Sequence, residues 1–205
     1  KDLAQALGVS IPTVSRALKD SPEISRELCT KAKALAKEMN YRPNPFAMSL
    51  RKNAPRIIGV IVPDIVTHFF ASILNGIENM AIANGYFVII TTSHESYEHE
   101  KRNIENLVNM RVEGIIACLS QETTDFSHIS ALKDINMPLI LFDRVCLTDQ
   151  FSSVIADGAQ SAQMATQHLL DNGSERVAFI GGANHLDIVK RRKHGYLEAL
   201  RENRI

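Results

Sequence analysis

The sequence has no long apolar run, few cysteines and no net charge. No apolar segment approaches the roughly 20 residues that span a bilayer, and no signal-peptide pattern is present. The cysteines, Cys29, Cys118 and Cys146, are odd in number and lack CxxC spacing, so neither a disulfide framework nor a zinc site is expected. These absences favour a cytoplasmic protein with reduced, mostly buried thiols and without a metal or cofactor.

Motifs of nucleotide-binding and metal-dependent enzymes are missing as well. No GxGxxG or GxxxxGK[ST] pattern follows a predicted strand, and Gly181-Gly182 lacks the rest of such a pattern. His94 and His99 resemble a zinc-protease motif, but residues five apart lie about 140° apart on a helix, whereas a metal pair needs a spacing of four. No nucleophile–base constellation is visible. An enzyme of doubly wound fold is therefore the main competing interpretation, not the preferred one.

The zero net charge hides an uneven distribution. Residues 1–52 contain ten Lys or Arg and five Asp or Glu, a net charge of +5, and the rest of the chain carries −5. A basic amino-terminal segment on an acidic body concentrates affinity for phosphates at one end. Charged helices are usually only solvated, so the asymmetry suggests nucleic-acid binding without proving it.

The stretch from Ala4 to Leu18 predicts two short helices joined by a tight turn. Gly8 suits a helix end that needs positive φ, and Ser10 is a good N-cap with Pro12 in the following first turn. Val14, Ala17 and Leu18 give the second helix one apolar side. Such a pair forms a helix-turn-helix, whose second helix fits the DNA major groove. Two packed helices without nucleic acid are the alternative.

A third helix and a linker follow. Ser25 is predicted to cap a helix that runs to about Met39, with an apolar stripe that closes a three-helix core. Pro43 and Pro45 end this helical region. Residues 46–52 allow one or two further helical turns, too short to be stable alone.

From residue 56 onward, apolar strands alternate with helices. This order predicts a parallel sheet covered by helices on both faces, with ligands at the carboxyl ends of the strands. The predicted strands are 57–62, 86–91, 114–118, 139–142, 153–155 and 176–180, and the predicted helices are 68–83, 97–110, 126–135, 157–171 and 188–202.

Several short motifs occur in one order along the whole chain: Gly8-Val9-Ser10, Thr13-Val14-Ser15-Arg16-Ala17-Leu18, Asn40-Tyr41-Arg42-Pro43-Asn44, Ser49-Leu50-Arg51, Ile58-Gly59-Val60-Ile61-Val62-Pro63-Asp64, Phe69-Phe70, Gly76-Ile77-Glu78, Gly85-Tyr86, Gly114-Ile115-Ile116, Asp143-Arg144, Arg176-Val177-Ala178-Phe179-Ile180-Gly181-Gly182 and Gly195-Tyr196. In this order and spacing they resemble the LacI/GalR family of bacterial transcription repressors. The sensor body of that family is similar to periplasmic sugar-binding proteins.

The resemblance implies an α + α/β fold class: a three-helix DNA-binding domain and a hinge helix, then doubly wound parallel α/β lobes. The implied domains are residues 1–43 for the helix-turn-helix, 44–54 for the hinge, 55–148 for the first sensor lobe and 149–205 for part of the second. Family members normally run further, so the chain is expected to be a fragment.

For DNA, the resemblance implies that Ile11, Pro12 and Arg16 face base edges. Arg16 can bind guanine through two hydrogen bonds, and the two apolar residues can touch thymine methyl groups. The alternative for Pro12 is that it merely starts the helix. Ser10, Thr13 and Ser15 are predicted to bind phosphates.

In the hinge, the resemblance implies that Leu50 wedges into the minor groove, where kinking the duplex is offset by added contacts. Packing of Leu50 on a neighbouring domain is the alternative. Asn44 completes the predicted DNA-binding set. The implied target is an approximately palindromic operator bound by a homodimer.

The implied effector site is Phe69, Phe70, Asp143, Arg144 and Arg192, a set that resembles the pentose site of related sugar-binding proteins. Thr67 stands where asparagine is often found, so the sugar is open. The alternatives are core packing for the two phenylalanines, a surface ion pair between Asp143 and Arg144, and a solvated basic run for Arg192. A nucleobase or a partner protein as effector, and a sugar-binding transport protein, are the alternative functions.

Overall fold

The computed structural model describes residues 2–41 and 56–205. The chain divides into two compact units, residues 1–53 and 54–205. The predicted hinge at 44–54, with Asn44 and Leu50, lies outside the described residues, and the proposed domain bounds stay predictions.

The amino-terminal unit consists of three helices whose starts follow the predicted caps. They are α1 (Asp2–Ala6), α2 (Ile11–Ala17) and α3 (Arg26–Glu38). The Ser10 side chain accepts a hydrogen bond from the Thr13 amide, and Ser25 accepts one from the Leu28 amide. The small core between the helices is formed by Leu3, Ala4, Val14, Ala17, Cys29, Ala32 and Ala36.

Gly8 adopts the left-handed conformation predicted for the turn between α1 and α2. Its φ is 63°, and the Val9 amide donates to the Ala4 carbonyl across the turn at 3.0 Å. Only glycine enters this region without steric cost. The turn therefore depends on the missing side chain at this position.

The carboxy-terminal unit is an α/β domain. Its strands are β1 (Ile57–Val62), β2 (Phe87–Thr92), β3 (Gly114–Ala117), β4 (Leu139–Phe142) and β5 (Ser152–Val154). Its helices are α4 (His68–Ala83), α5 (Tyr97–Asn109), α6 (Ser127–Asp134), α7 (Gly158–Asp171) and α8 (Asp187–Glu202). In the described parts of the chain, no helix is long and apolar enough to cross a membrane.

The five strands form one parallel sheet in the order β2-β1-β3-β4-β5. One face packs on a cluster that includes Ile61, Leu107 and Leu141, and the other packs on Phe70 and Phe142. Strand order reverses between β1 and β3, which places the crevice favoured for ligands at the carboxyl ends of these strands. The doubly wound layout is thus as predicted.

One predicted strand, 176–180, is wrong. The structure has no strand there, although Tyr196 of α8 donates to the Val177 carbonyl at 2.8 Å and stacks on Phe179. A strand exists only when a neighbour completes its hydrogen-bond ladder, and no described strand lies beside this segment. Ile180 is consequently 97% exposed. The apolar run alone does not make the strand.

Apart from the hinge, which lies outside the described residues, the other predicted strands and helices are confirmed, with ends shifted by no more than one residue. Strand β5, predicted to begin a further cycle, pairs with β4 in the first sheet. Gly195 allows α8 to approach α7 closely, because a Cβ there would lie 1.9 Å from the Ala159 carbonyl oxygen.

We predict that Gly8→Ala destabilises the helix-turn-helix by about 1 kcal/mol, because alanine resists positive φ. A Cβ at Gly8 would meet no atom within 4 Å, so the cost is conformational rather than steric. Gly76→Ala is the control, since it makes the same change inside α4, also in open space, and should be neutral or stabilising. Urea denaturation followed by circular dichroism measures both, and equal shifts of the same sign would contradict the prediction.

Candidate functional site

The exposed side of α2 carries the residues predicted to contact DNA. Ile11, Pro12 and Arg16 are exposed, and the exposed fraction of Ile11 is 52%. Val14 and Ala17 are buried in the cores formed with the other two helices. These buried residues fix the rotation of α2, so its exposed side is presented on a rigid support.

Arg16 forms an ion pair with Glu23. Its Nη1 lies 2.9 Å from Glu23 Oε2, and both side chains are more than half exposed. Exposed pairs of this kind contribute about 0–1 kcal/mol. Arg16 can therefore exchange Glu23 for a stronger acceptor at small cost.

Two of the hydroxyl groups predicted to bind phosphates, those of Ser10 and Thr13, lie within hydrogen-bond distance of each other at the start of α2. Ser10 Oγ accepts from the Thr13 amide at 3.3 Å and lies 2.8 Å from Thr13 Oγ1. Ser15 is half-buried. Capping is thus a role of Ser10 that the structure shows, and phosphate binding by these three residues stays a prediction.

In the α/β unit, Arg144 follows the carboxyl end of β4 and pairs with Glu95, which follows β2. Nη1 donates to Glu95 Oε2 at 2.5 Å, and Nη2 donates to Oε1 at 2.9 Å. Nη1 also donates to the Leu119 carbonyl at 3.2 Å, and the Gln121 amide donates to Glu95 Oε2 at 2.7 Å. The described ion pair of Arg144 is therefore with Glu95 and not with its neighbour Asp143.

Electrostatics keep this pair ionised. Burial opposes ionisation of Glu95, but hydrogen bonds from Arg144 and the Gln121 amide hold the pKa of Glu95 below its usual range. Burial also disfavours the charged guanidinium, yet the bonds to Glu95 raise the pKa of Arg144. Both groups remain charged at neutral pH.

Asp143 and Arg192 lie at the same end of the sheet. Burial raises the pKa of Asp143, against the opposing charges of Arg144 and Arg192. Arg192 is exposed on α8 and packs over Gly158, where a Cβ would lie 3.4 Å from its Cγ. Asp143 has a φ of 59°, and its amide donates to Val154 of β5. The structure thus brings three of the five predicted effector residues together.

The two phenylalanines differ. Phe70 is buried in the core with its ring centroid 6.4 Å from that of Phe142, which agrees with the core-packing alternative. Phe69 is 50% exposed and meets Phe70 edge-on at 5.1 Å. Only Phe69 offers an aromatic face to a ligand, and the effector role of both residues stays a prediction.

A cavity of about 290 Å³ opens beside Arg144, close to the lower limit for small-molecule sites. The carboxyl-end loops and the start of α8 line it. His185 Nε2 lies 2.7 Å from the Gln121 carbonyl oxygen and helps to close one side. The other lining residues include Thr123, Phe126, Cys146, Asp187 and Lys190.

Glu95 and His185 are absent from the predicted site. In the sequence, Glu95 stands out only within the rejected metal motif around His94 and His99. Its position directly after a predicted strand, at the edge where ligands bind, is the signal that points to it. His185 lies in a segment without periodicity and carries no such signal.

A buried carboxylate, Glu100 of α5, holds the loop that follows β3. Glu100 is fully buried and accepts hydrogen bonds from the Ser120 amide at 2.5 Å and the Thr123 hydroxyl at 2.9 Å. His128 Nε2 lies 2.8 Å from its Oε1. Because Thr123 also lines the cavity, this network positions one of the cavity walls.

All three cysteines are free and buried, as predicted. Burial raises the pKa of the Cys118 thiol and that of the Cys146 thiol to about 12. The thiolate is the nucleophilic form, so neither thiol is activated at neutral pH. Cys146 therefore contributes shape rather than reactivity to the cavity.

Comparison with protein families matches both units. Residues 1–44 match the bacterial regulatory proteins of the lacI family. Residues 56–204 match the family of periplasmic binding proteins and the sugar binding domain of the LacI family.

Individual relatives agree. The chain is 33% identical to the ribose operon repressor of Bacillus subtilis (strain 168) and 32% identical to catabolite control protein A of Priestia megaterium, in each case over 98% of this chain and 60% of the relative. It is similar to the crystal structure of the lac repressor dimer bound to operator and the anti-inducer ONPF, with a TM-score of 0.78 and 26% identity over 100% of this chain and 62% of that one. The chain thus spans about three fifths of the length of these relatives.

We predict that Glu100→Ala lowers the free energy of unfolding by about 3–5 kcal/mol, because it leaves buried hydrogen-bonding groups without a partner. Glu105→Ala on the exposed side of the same helix is the control and should change it by less than about 0.5 kcal/mol. Urea denaturation monitored by circular dichroism measures both variants. Equal midpoints for the two would show that the network contributes no stability.

Proposed function

Because the chain belongs to the LacI family of bacterial regulatory proteins, we propose that it forms the DNA-binding and sensing part of a cytoplasmic transcriptional repressor controlled by a small molecule. The proposal rests on the exposed side of α2, where Arg16 is held by a helix whose other side packs in a buried apolar core. The same chain also contains the parallel-sheet domain. The curated relatives, a ribose operon repressor and a catabolite control protein, are regulators and not enzymes. The activated nucleophile that an enzyme would need is not supplied by Cys118 or Cys146.

On the DNA side, Arg16 donates two hydrogen bonds to a guanine, and Ile11 and Pro12 contact thymine methyl groups. Ser10, Thr13 and Ser15 bind phosphates and set the position of the helix. In the hinge, Asn44 contacts the DNA and Leu50 wedges into the minor groove. The exposure of Ile11 and Arg16 supports the first of these roles.

The protein acts as a homodimer on an approximately palindromic operator, since a two-fold dimer presents α2 to two half-sites. The lac repressor, to whose structure this chain is similar over 100% of this chain and 62% of that one, is a dimer bound to operator. The net charge of +5 in residues 1–52 supports phosphate contacts at that end.

The effector is a sugar that binds at the carboxyl edge of the sheet. Asp143 accepts hydrogen bonds from its hydroxyls, Arg144 and Arg192 donate to its oxygens, and Phe69 and Phe70 supply apolar surface. A carboxylate and a guanidinium together suit a ligand whose hydroxyls both donate and accept. The effector shifts the balance between two states of the sensor that differ in operator affinity, by the difference in its affinity for them.

We predict that Arg16→Ala relaxes the preference at one guanine in each half-site by about 5- to 150-fold, the equivalent of 1–3 kcal/mol. Lys31→Ala is the matched control, since it removes the same charge from an exposed ion pair on α3. Selection of operators from a randomised pool by the natural full-length protein, at fixed salt, measures the preference. An unchanged preference in Arg16→Ala would refute this role, and absence of DNA binding by the unmodified protein would refute the proposed function.

We predict that calorimetry of the natural full-length protein detects binding of at least one sugar from a panel of sugars and nucleosides. Asp143→Asn should weaken that binding about tenfold or more, because it removes a charged acceptor. Asp149→Asn, on the exposed loop before β5, should leave it unchanged. Binding of a purine but of no sugar would overturn the assignment of a sugar effector.

A further inference from the structure

Glu95 sits in a strained turn directly after β2. His94 and Glu95 both have positive φ, 52° and 62°, and the Ser96 amide donates to the Ser93 carbonyl at 3.0 Å. This is the pattern of a turn that favours glycine, asparagine or aspartate at both central positions. Strain of this kind persists only where the surroundings fix it. Here the Glu95 carboxylate, bonded to Arg144 and the Gln121 amide, holds the turn.

The pairing with Glu95 leaves Arg144 with a defined set of donors. Both Nη1 protons are used, one on Glu95 and one on the Leu119 carbonyl, and one Nη2 proton is used on Glu95. Within the described residues, this leaves the Nε proton and the second Nη2 proton for a ligand. The two point in parallel on one edge of the guanidinium. They match two adjacent oxygens, such as the neighbouring hydroxyls of a sugar.

The charge of Arg144 is also compensated. Glu95 neutralises it over two short hydrogen bonds, and Asp143 and Asp64 add negative charge that acts on the same pair. Arg192 supplies the positive charge facing Asp143. Lys190 and Arg191 of α8 also line the cavity. Arg191 is paired with Asp187 at 2.5 Å, and Lys190 is exposed, where solvent screens its charge. A phosphate brought to Arg144 would therefore meet a guanidinium whose charge Glu95 already neutralises.

We propose that Glu95 is a specificity-determining residue that restricts the effector at Arg144 to uncharged sugars and excludes sugar phosphates. The inference rests on the proposed role of Arg144 in effector binding and adds the chemical class of the ligand. An uncharged sugar uses the two parallel donors of Arg144 and the acceptor Asp143 without breaking the pair. A sugar phosphate could reach the same two donors only by bringing its negative charge next to the carboxylates of Glu95 and Asp143.

The test compares affinities for free sugars and their monophosphates, with D-ribose, D-glucose, ribose 5-phosphate and glucose 6-phosphate as probes, by calorimetry on the natural full-length protein. The unmodified protein should bind a free sugar at least about tenfold more tightly than its monophosphate. Glu95→Gln should reduce this ratio about tenfold or more, because it frees the charge of Arg144. Glu95→Asp keeps the negative charge and should keep the preference.

Glu198→Gln is the matched control, since it makes the same change in a carboxylate paired with Arg201 on α8, and it should leave the ratio unchanged. Preference of the unmodified protein for a monophosphate, or an unchanged ratio in Glu95→Gln, would overturn this inference and leave the sugar effector standing. Binding of neither sugars nor phosphates would overturn the sugar effector and the inference with it. Thermal unfolding checks that Glu95→Gln folds. If it does not fold, the inference is tested by the preference for free sugars over monophosphates in the unmodified protein and in Glu95→Asp, and loss of that preference in either one would overturn it.

Discussion

Burial of the central strand β1 on both faces is the constraint on which the rest of the α/β unit is built. Val60, Ile61 and Val62 of β1 are 0% exposed, because helices cover the middle of the sheet on each side. A charged group along this strand would have neither water nor a partner. Charged side chains emerge instead where strands end, and Glu95, Asp143 and Arg144 do so at the same edge.

Each predicted binding surface contains an arginine that already has a glutamate partner. Arg16 and Glu23 are both more than half exposed, so their ion pair contributes little and is readily exchanged for a base. Arg144 is only 18% exposed and its partner Glu95 is 40% exposed, and Glu95 accepts three hydrogen bonds in all. Separating this pair would break two of those bonds and leave a mostly buried guanidinium without its charged partner. In the function proposed above, the first pair gives way to its ligand, whereas the second stays in place and limits which ligands can bind.

Much of the fold could be predicted from local patterns. Caps at Ser10 and Ser25, the glycine at position 8 and the apolar runs of the strands each depend on a few neighbouring residues. The exception is the segment 176–180, which has the composition of a strand but no strand beside it among the described residues. The positions of Asp143 and Arg144 could be predicted, because both directly follow a strand whose end could be read from the sequence, and their role in binding an effector stays a prediction.

The ends of most helices and strands, and the apolar side of α2, follow from residues close together in the chain, since these properties repeat at the spacing of the local structure. The pairing of Arg144 with Glu95, 49 residues away, rather than with its neighbour Asp143, follows from the fold. The fold also buries Phe70 while leaving the adjacent Phe69 half exposed. Such outcomes depend on the order of strands in the sheet and on which helices cover it. Packing between distant segments sets them, and no local pattern contains that information.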